Sequence, residues 1–169
     1  MKLILPHIQY KMSFLEALKE FHAEGIELQF DEKKINEDFD AFAEEYQARM
    51  RGVDPSKTVP DTLFWLIDND TFIGRFSLRH TLNKRLEQYG GHIGYYIRPT
   101  KRGMGYATKG LALTLKEAKK LGLEKVLITC NEDNLGSQKV AKNNGGVLQD
   151  VIPSLENGKP LMRWWVTLH

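Results

Sequence analysis

Residues 92 to 130 constrain the fold of this chain more tightly than any other stretch. His92-Ile93-Gly94-Tyr95-Tyr96-Ile97-Arg98 is a β-rich run stopped by Pro99, which a strand cannot easily pass. From about Tyr106 to Leu121, Ala107, Leu111, Leu115 and Ala118 recur at helical intervals, and Lys119, Lys120 and Gly122 supply C-terminal signals. Val126 to Cys130 is short, apolar and β-branched, as expected of a strand buried on both faces. Strand, helix and strand in that order predict a right-handed parallel crossover, and so an α/β architecture in which helices back a sheet.

The flanking segments fill in the layers. Ser13 followed by Glu16 reads as a capping box for a first helix carrying Phe14, Leu15, Leu18 and Phe21. A second helix is expected from near Asp31, with Ile35, Phe39, Phe42, Ala43 and Tyr46 on one face and an acidic opposite face that by default is solvated. After a Gly/Pro-punctuated loop from Gly52 to Pro60, Leu63–Ile67 and Thr71–Leu78 form a hairpin around Asp68-Asn69-Asp70. Asn134 can cap a helix running to Asn144 and ending at Gly145-Gly146. Val147–Pro153 and Leu161–Leu168 make a last hairpin around Asn157-Gly158. The expectation is a mixed sheet of about seven strands with helices on its faces, in one domain spanning residues 1–169. A length of 169 residues does not ask for two cores.

Composition removes several classes of function. Twenty-four Lys and Arg against 22 Asp and Glu give a net charge of +2, so no global field calls for nucleic acid or an anionic membrane. The longest apolar run, Leu63–Ile67, is far short of a membrane span. Cys130 is the sole cysteine, which excludes an internal disulfide and a Cys-rich zinc site; within an apolar strand it reads as packing. The start of the chain lacks a signal peptide's long apolar region, so a soluble, cytoplasmic protein is expected.

The chemistry concentrates in Arg98-Pro-Thr-Lys-Arg102-Gly-Met-Gly105-Tyr-Ala107-Thr-Lys109. From Arg98 to Lys116 there are five basic residues and no acid. A helix N-terminus carries partial positive charge and orphan N–H groups, and normally takes an oxygen cap and acids in its first turn. Cations and glycines stand there instead, so an external anion, a phosphate or pyrophosphate, is expected to accept hydrogen bonds from N–H groups freed by Gly103 and Gly105. A Walker A loop fails, because Gly105 leads to Gly110-Leu111. A dinucleotide fingerprint begun at Gly103 fails at Thr108.

Arg102-x-x-Gly105-x-Ala107 resembles the Gln/Arg-x-x-Gly-x-Gly/Ala pyrophosphate loop of GCN5-related N-acetyltransferases (GNAT). Asn134-x-x-Ser137-x-x-Val140 with Asn144-Gly145 resembles that family's second block, and Gly90-Gly91-His92-Ile93-Gly94-Tyr95 resembles a run found in some uncharacterised bacterial acetyltransferases. The resemblance implies acetyl-CoA as co-substrate, no metal, and a cleft where two parallel strands, 92–98 and 125–130, splay apart. It implies an acetyl-CoA-binding core at 91–146 and an acceptor side built from 1–90 and 147–169. Backbone groups of Tyr96, Ile97 and Arg98 would hold the pantetheine and the thioester. Arg102, Gly103, Met104, Gly105, Tyr106, Ala107 and Thr108 would hold the pyrophosphate, with Asn134 and Ser137 on the opposite lip.

The reaction implied is transfer of an acetyl group to a primary amine of a small molecule or peptide by direct attack, in a monomer or homodimer without nucleic acid or membrane. An alkyl ammonium is protonated at neutral pH, so His92 is the first candidate base, against the alternative of a histidine satisfied by turn hydrogen bonds; Glu132 and Asp133 are weaker candidates. Where many family members carry the tyrosine that protonates the departing thiolate, this chain has Ala141, so either another donor serves, with Ser137, Tyr95 and Tyr96 the nearest candidates, or the thiolate leaves through water. A non-catalytic CoA-binding module is the alternative to an enzyme.

Overall fold

A computed structural model of the chain describes residues 1–53, 59–155 and 158–169. In chain order it has β1 (Lys2–Ile4), α1 (Lys11–Ala23), α2 (Glu32–Glu37), α3 (Phe39–Met50), β2 (Asp61–Asp68), β3 (Thr71–Arg79), α4 (Lys84–Tyr89), β4 (Ile93–Ile97), α5 (Tyr106–Lys120), β5 (Lys125–Asn131), α6 (Leu135–Asn143), β6 (Val147–Pro153) and β7 (Pro160–Thr167). Seven strands and the α/β class agree with the sequence reading.

The single mixed sheet does not form as one ladder. The strands divide into two antiparallel sheets, ordered β1-β2-β3-β4 and β5-β7-β6. They meet where the His92 N–H donates to the Leu127 carbonyl at 2.7 Å and the Leu127 N–H donates to His92 Nδ1 at 2.9 Å. Gly91 makes this approach possible: it has φ +62°, and a Cβ there would lie 2.5 Å from the Leu127 carbonyl oxygen. Among the described residues no ladder continues from that point, so β4 keeps a free edge toward the C-terminal ends of both strands. The register of β5 is set by β7, from Lys125↔Thr167 to Asn131↔Leu161, a long-range pairing that local pattern does not encode.

Helices cover both faces of the first sheet. On one face α1–α3 pack an aromatic cluster against β2 and β3, with Phe14 4.4 Å from Trp65 and 5.0 Å from Phe72 between ring centroids. On the other, α5 buries Leu111 and Ala118 against Phe76, Leu78 and Ile93. Gly110 lets α5 lie that close, since a Cβ there would sit 2.2 Å from Phe76 Cζ.

Several local expectations change. Ser13 lies inside α1 rather than capping it, and its Oγ accepts the Phe72 N–H at 2.9 Å, which ties the helix to β3. The second helix breaks into α2 and α3 at Asp38, whose carboxylate accepts the Ala41 N–H at 2.9 Å and so caps α3. The connection before Gly90 contains α4, capped by Asn83. Most of the Gly52–Pro60 loop, and Asn157 of the last turn, lie outside the described residues, while Gly158 has φ +67°. No helix among the described residues is long and apolar enough to cross a membrane.

Candidate active site

The free edge of β4, the turn that follows it, the start of α5 and the near face of α6 enclose a cleft of about 710 Å3. Its shape follows from the turn. Gly103 and Gly105 have φ +74° and +78°, a left-handed conformation that side chains with a Cβ disfavour. Gly105 is the N-cap of α5, which has no side-chain cap and no acid in its first turn. Intrahelical bonding begins at Lys109, whose N–H donates to the Gly105 carbonyl at 3.2 Å. The N–H groups of residues 103–108 therefore donate to no protein acceptor among the described residues, and five of those six residues line the cleft. This is a concave nest of donors at the positive end of a 15-residue helix, suited to a diphosphate.

The electrostatics of the turn differ from the expectation in one respect. Glu16 and Glu20 on α1 and Glu24 at its C-cap, four residues apart, face the basic segment. Arg98 Nε donates to Glu20 at 2.7 Å, with Glu16 3.7 Å from Nη2. Thr100 donates to Glu20 through its N–H and its hydroxyl. Arg102 pairs with Glu24 at 2.8 Å and donates through Nε to the Ile97 carbonyl at 3.2 Å. Thr100, Arg98 and their hydrogen bonds hold the Glu20 carboxyl below its usual range against the opposing effect of burial. Lys101 and Lys139 line the cleft and have no carboxylate within ion-pair distance among the described residues, so the N–H nest and these two lysines carry the attraction for an anion.

Ten of the twelve residues expected to hold the co-substrate line this cleft: Tyr96, Ile97, Arg102, Gly103, Gly105, Tyr106, Ala107, Thr108, Asn134 and Ser137. Met104 projects out to solvent and does not line it. Arg98 does not line it either, and its N–H is taken by the Ile73 carbonyl at 2.8 Å. Strand alternation then directs the backbone groups of Arg98 and Tyr96 toward β3, and those of Ile97 and Tyr95 toward the free edge. Sequence reasoning assigned edge groups without knowing this parity, which the β3–β4 register alone decides.

Asn134 caps α6 through its Oδ1, which accepts the Ser137 N–H at 3.0 Å, and it lies on the cleft wall as well. Beside it the Tyr95 hydroxyl donates to Ser137 Oγ at 3.2 Å. Burial pushes the Tyr95 phenol up, which keeps it protonated near neutrality. Ala141 is fully buried in the core and offers no group to the cleft.

His92 is not brought to the cleft. It is 7% exposed, its Nδ1 is occupied by the Leu127 N–H, and burial together with the Arg79 charge pushes its imidazole down to about 4. Its place in the fold is the joint between the two sheets. Glu132 and Asp133 are exposed and do not line the cleft; Asp133 is paired with Lys159 at 2.5 Å. Cys130 is buried, with its thiol pushed up by burial, as befits packing. The described residues contain no group of three potential metal ligands. Glu24, Gly136, Lys139 and Asn143 also line the cleft and escaped sequence reasoning, because α1 and the outer turn of α6 meet the turn only through tertiary packing.

No curated protein matches the sequence significantly. Solved structures share the fold at low identity. The microcin C7 self-immunity acetyltransferase MccE, in complex with acetyl-CoA and AMP, is similar at 16% identity and TM-score 0.71, over 98% of this chain and 91% of that one. The Salmonella typhimurium acetyltransferase that modifies the N-terminal serine of ribosomal protein L7/L12 is similar at 16% identity and TM-score 0.68, over 99% and 94%. Mycobacterium smegmatis RimJ, in complex with CoA-disulfide, is similar at 16% identity and TM-score 0.71, over 98% and 80%. The family model of the acetyltransferase (GNAT) domain matches residues 15–147, so the chain belongs to the GNAT acetyltransferase family.

Proposed function

We propose that this protein is an acetyl-CoA-dependent N-acetyltransferase that delivers the acetyl group to a primary amine by direct attack within a ternary complex. The observation that carries the reading is the row of unpartnered N–H groups at residues 103–108, opening on a cleft whose far wall is Asn134 and Ser137. That donor set fits a diphosphate, and the free edge of β4 at Tyr95 and Ile97 fits an extended amide-bearing arm by strand addition.

Acetyl-CoA supplies an activated acyl group and a thiolate leaving group. The chain's own residues hold and protonate. The 103–108 turn fixes the phosphates and the β4 edge aligns the arm. Ser137, with its Oγ already accepting from Tyr95, keeps its own proton to donate into the cleft, and the Tyr95 phenol stands behind it to replace that proton. His92 has no part in this scheme, so the attacking amine enters neutral and loses its second proton to solvent.

The test is calorimetric titration of acetyl-CoA followed by measurement of CoA release with a panel of amines. Saturable binding and turnover on at least one amine are expected. Binding with no turnover on any amine would leave a CoA-binding module, and absence of binding by folded protein would remove the site.

A further inference from the structure

A second cavity, of about 630 Å3, opens on the face of the first sheet that α1–α3 also cover. Its floor is built from alternate residues of neighbouring strands: Arg75, Ser77 and Arg79 of β3, with Asp61 of β2 beside Arg79 and Gly94 and Tyr96 of β4 beside Ser77 and Arg75. Gly94 keeps that floor open, since a Cβ there would stand 3.3 Å from Ser77 Oγ. Tyr96 also lines the co-substrate cleft, and Thr129 brings β5 to the wall, so the two cavities adjoin at the gap between the sheets.

The charge in this cavity does not cancel. Four arginines line it, at 49, 75, 79 and 85. Asp61 takes Arg49 in a two-point pair at 2.9 and 3.1 Å, with the exposed Glu45 3.8 Å away, and Glu27 takes Arg75. Among the described residues Arg79 has no carboxylate within ion-pair distance, and its register partner Asp61, whose charge acts on it, is committed to Arg49. Arg79 Nη1 donates to the carbonyls of Gly90 and Gly91 at 3.1 and 2.9 Å, which orients the guanidinium without neutralising it. Its Nε and Nη2 have no acceptor among the described residues, although desolvation is the largest influence on the group. Arg85, exposed on α4, has no ion-pair partner among the described residues. A half-buried guanidinium with free donors pays a desolvation cost that a bound anion removes, and its planar fork matches carboxylate and phosphate.

We propose that the acetyl acceptor is an amine that also bears an anionic group, a carboxylate or a phosphate, held by Arg79 and Arg85 while the amine points to the gap beside Tyr96. The amine half of this statement rests on the acetyltransferase reading above; the anion half rests on the cavity alone. Arg79 lies four residues along β3 from Arg75, the register partner of Tyr96, a rise of about 13 Å, so the amine and the anion should be separated by a spacer of several bonds.

The probes are ω-amino carboxylates from glycine to 6-aminohexanoate, their amides, O-phosphoethanolamine against ethanolamine, and spermidine. Anionic members should exceed their neutral counterparts by at least 10-fold in kcat/KM, and the matched pairs separate carboxylate from phosphate. Arg79→Met should erase that preference while acetyl-CoA still binds. Because Arg79 also braces the Gly90-Gly91 turn, Arg85→Glu serves as a second variant on an exposed position and should reduce the preference with the fold unchanged. Calorimetry of 6-aminohexanoate and its amide on the CoA-saturated protein reads the cavity without turnover. Selective binding of the carboxylate, lost in Arg79→Met, supports the anion site even if no amine is acetylated, in which case the transfer reading alone fails. Preference for spermidine or the neutral amines, or an anion preference untouched by both variants, overturns the proposal.

Discussion

Tyr95 and Ser137 are joined across the cleft by a 3.2 Å hydrogen bond in which the phenol of β4 donates to the hydroxyl of α6. Both residues line the cleft, to which the buried Ala141 offers no group, and in the proposed scheme the serine, as acceptor of that bond, has its own proton left to donate. Tyr95 also stacks on Phe76 with ring centroids 5.4 Å apart, so Tyr95→Phe keeps the packing and removes only the donor. That variant should lower kcat about 10²-fold with little change in KM for acetyl-CoA, as loss of a positioned acid does. Steady-state kinetics on any accepted amine check it, and an unchanged kcat would take the proton relay away from this pair.

Gly105 separates charge from strain. Nothing lies within 4 Å of a Cβ built there, but φ is +78°. Gly105→Ala should therefore cost about 1–2 kcal/mol of local strain and weaken acetyl-CoA modestly. Gly105→Glu adds a carboxylate in front of the N–H nest and should weaken binding by at least about 100-fold beyond the alanine variant. Calorimetry on both variants, with circular dichroism to show that they fold, distinguishes the two effects.

His92 makes stability depend on pH. Its folded value of about 4 lies below the unfolded value of about 6.5, so the unfolded chain binds the extra proton between them. Its contribution is complete above about pH 6.5 and is lost as pH falls toward 4, by up to about 3 kcal/mol. His92→Asn keeps an acceptor for the Leu127 N–H and removes the titration. Urea unfolding at pH 7 and pH 4.5 should show a smaller loss in the variant than in the parent protein.

Gly110 meets the side chain of Phe76, which is itself fully buried. Phe76 has no room to swing away, so Gly110→Ala should push α5 off β3 and destabilise by about 1–3 kcal/mol, as overpacking does. Because α5 carries the turn on its first residues, acetyl-CoA affinity should fall as well. Denaturant unfolding and calorimetry on one preparation measure both.

The parts legible in the sequence are those whose cause is local. Asn134 as a cap, α5 from its 3.6-residue period, and the Gly103–Gly105 turn each depend on residues a few positions apart. What escaped depends on distant partners. Ser13 satisfies every rule of a capping box, yet its hydroxyl serves the N–H of Phe72, 59 residues away. Asp38 breaks a helix whose apolar spacing runs on unbroken through it, because α2 and α3 wrap the same aromatic cluster. His92 has the residue type of a base and the position of a clasp, and only the approach of Leu127 decides between them.

The three glutamates on α1 and its C-cap have a consequence for the energetics of the turn. By fastening Arg98, Thr100 and Arg102 before any ligand arrives, Glu16, Glu20 and Glu24 fix the backbone that presents its amides to the cleft. Binding then spends little conformational entropy on shaping the receptor, so a loop built almost wholly from flexible and cationic residues behaves as a rigid mould.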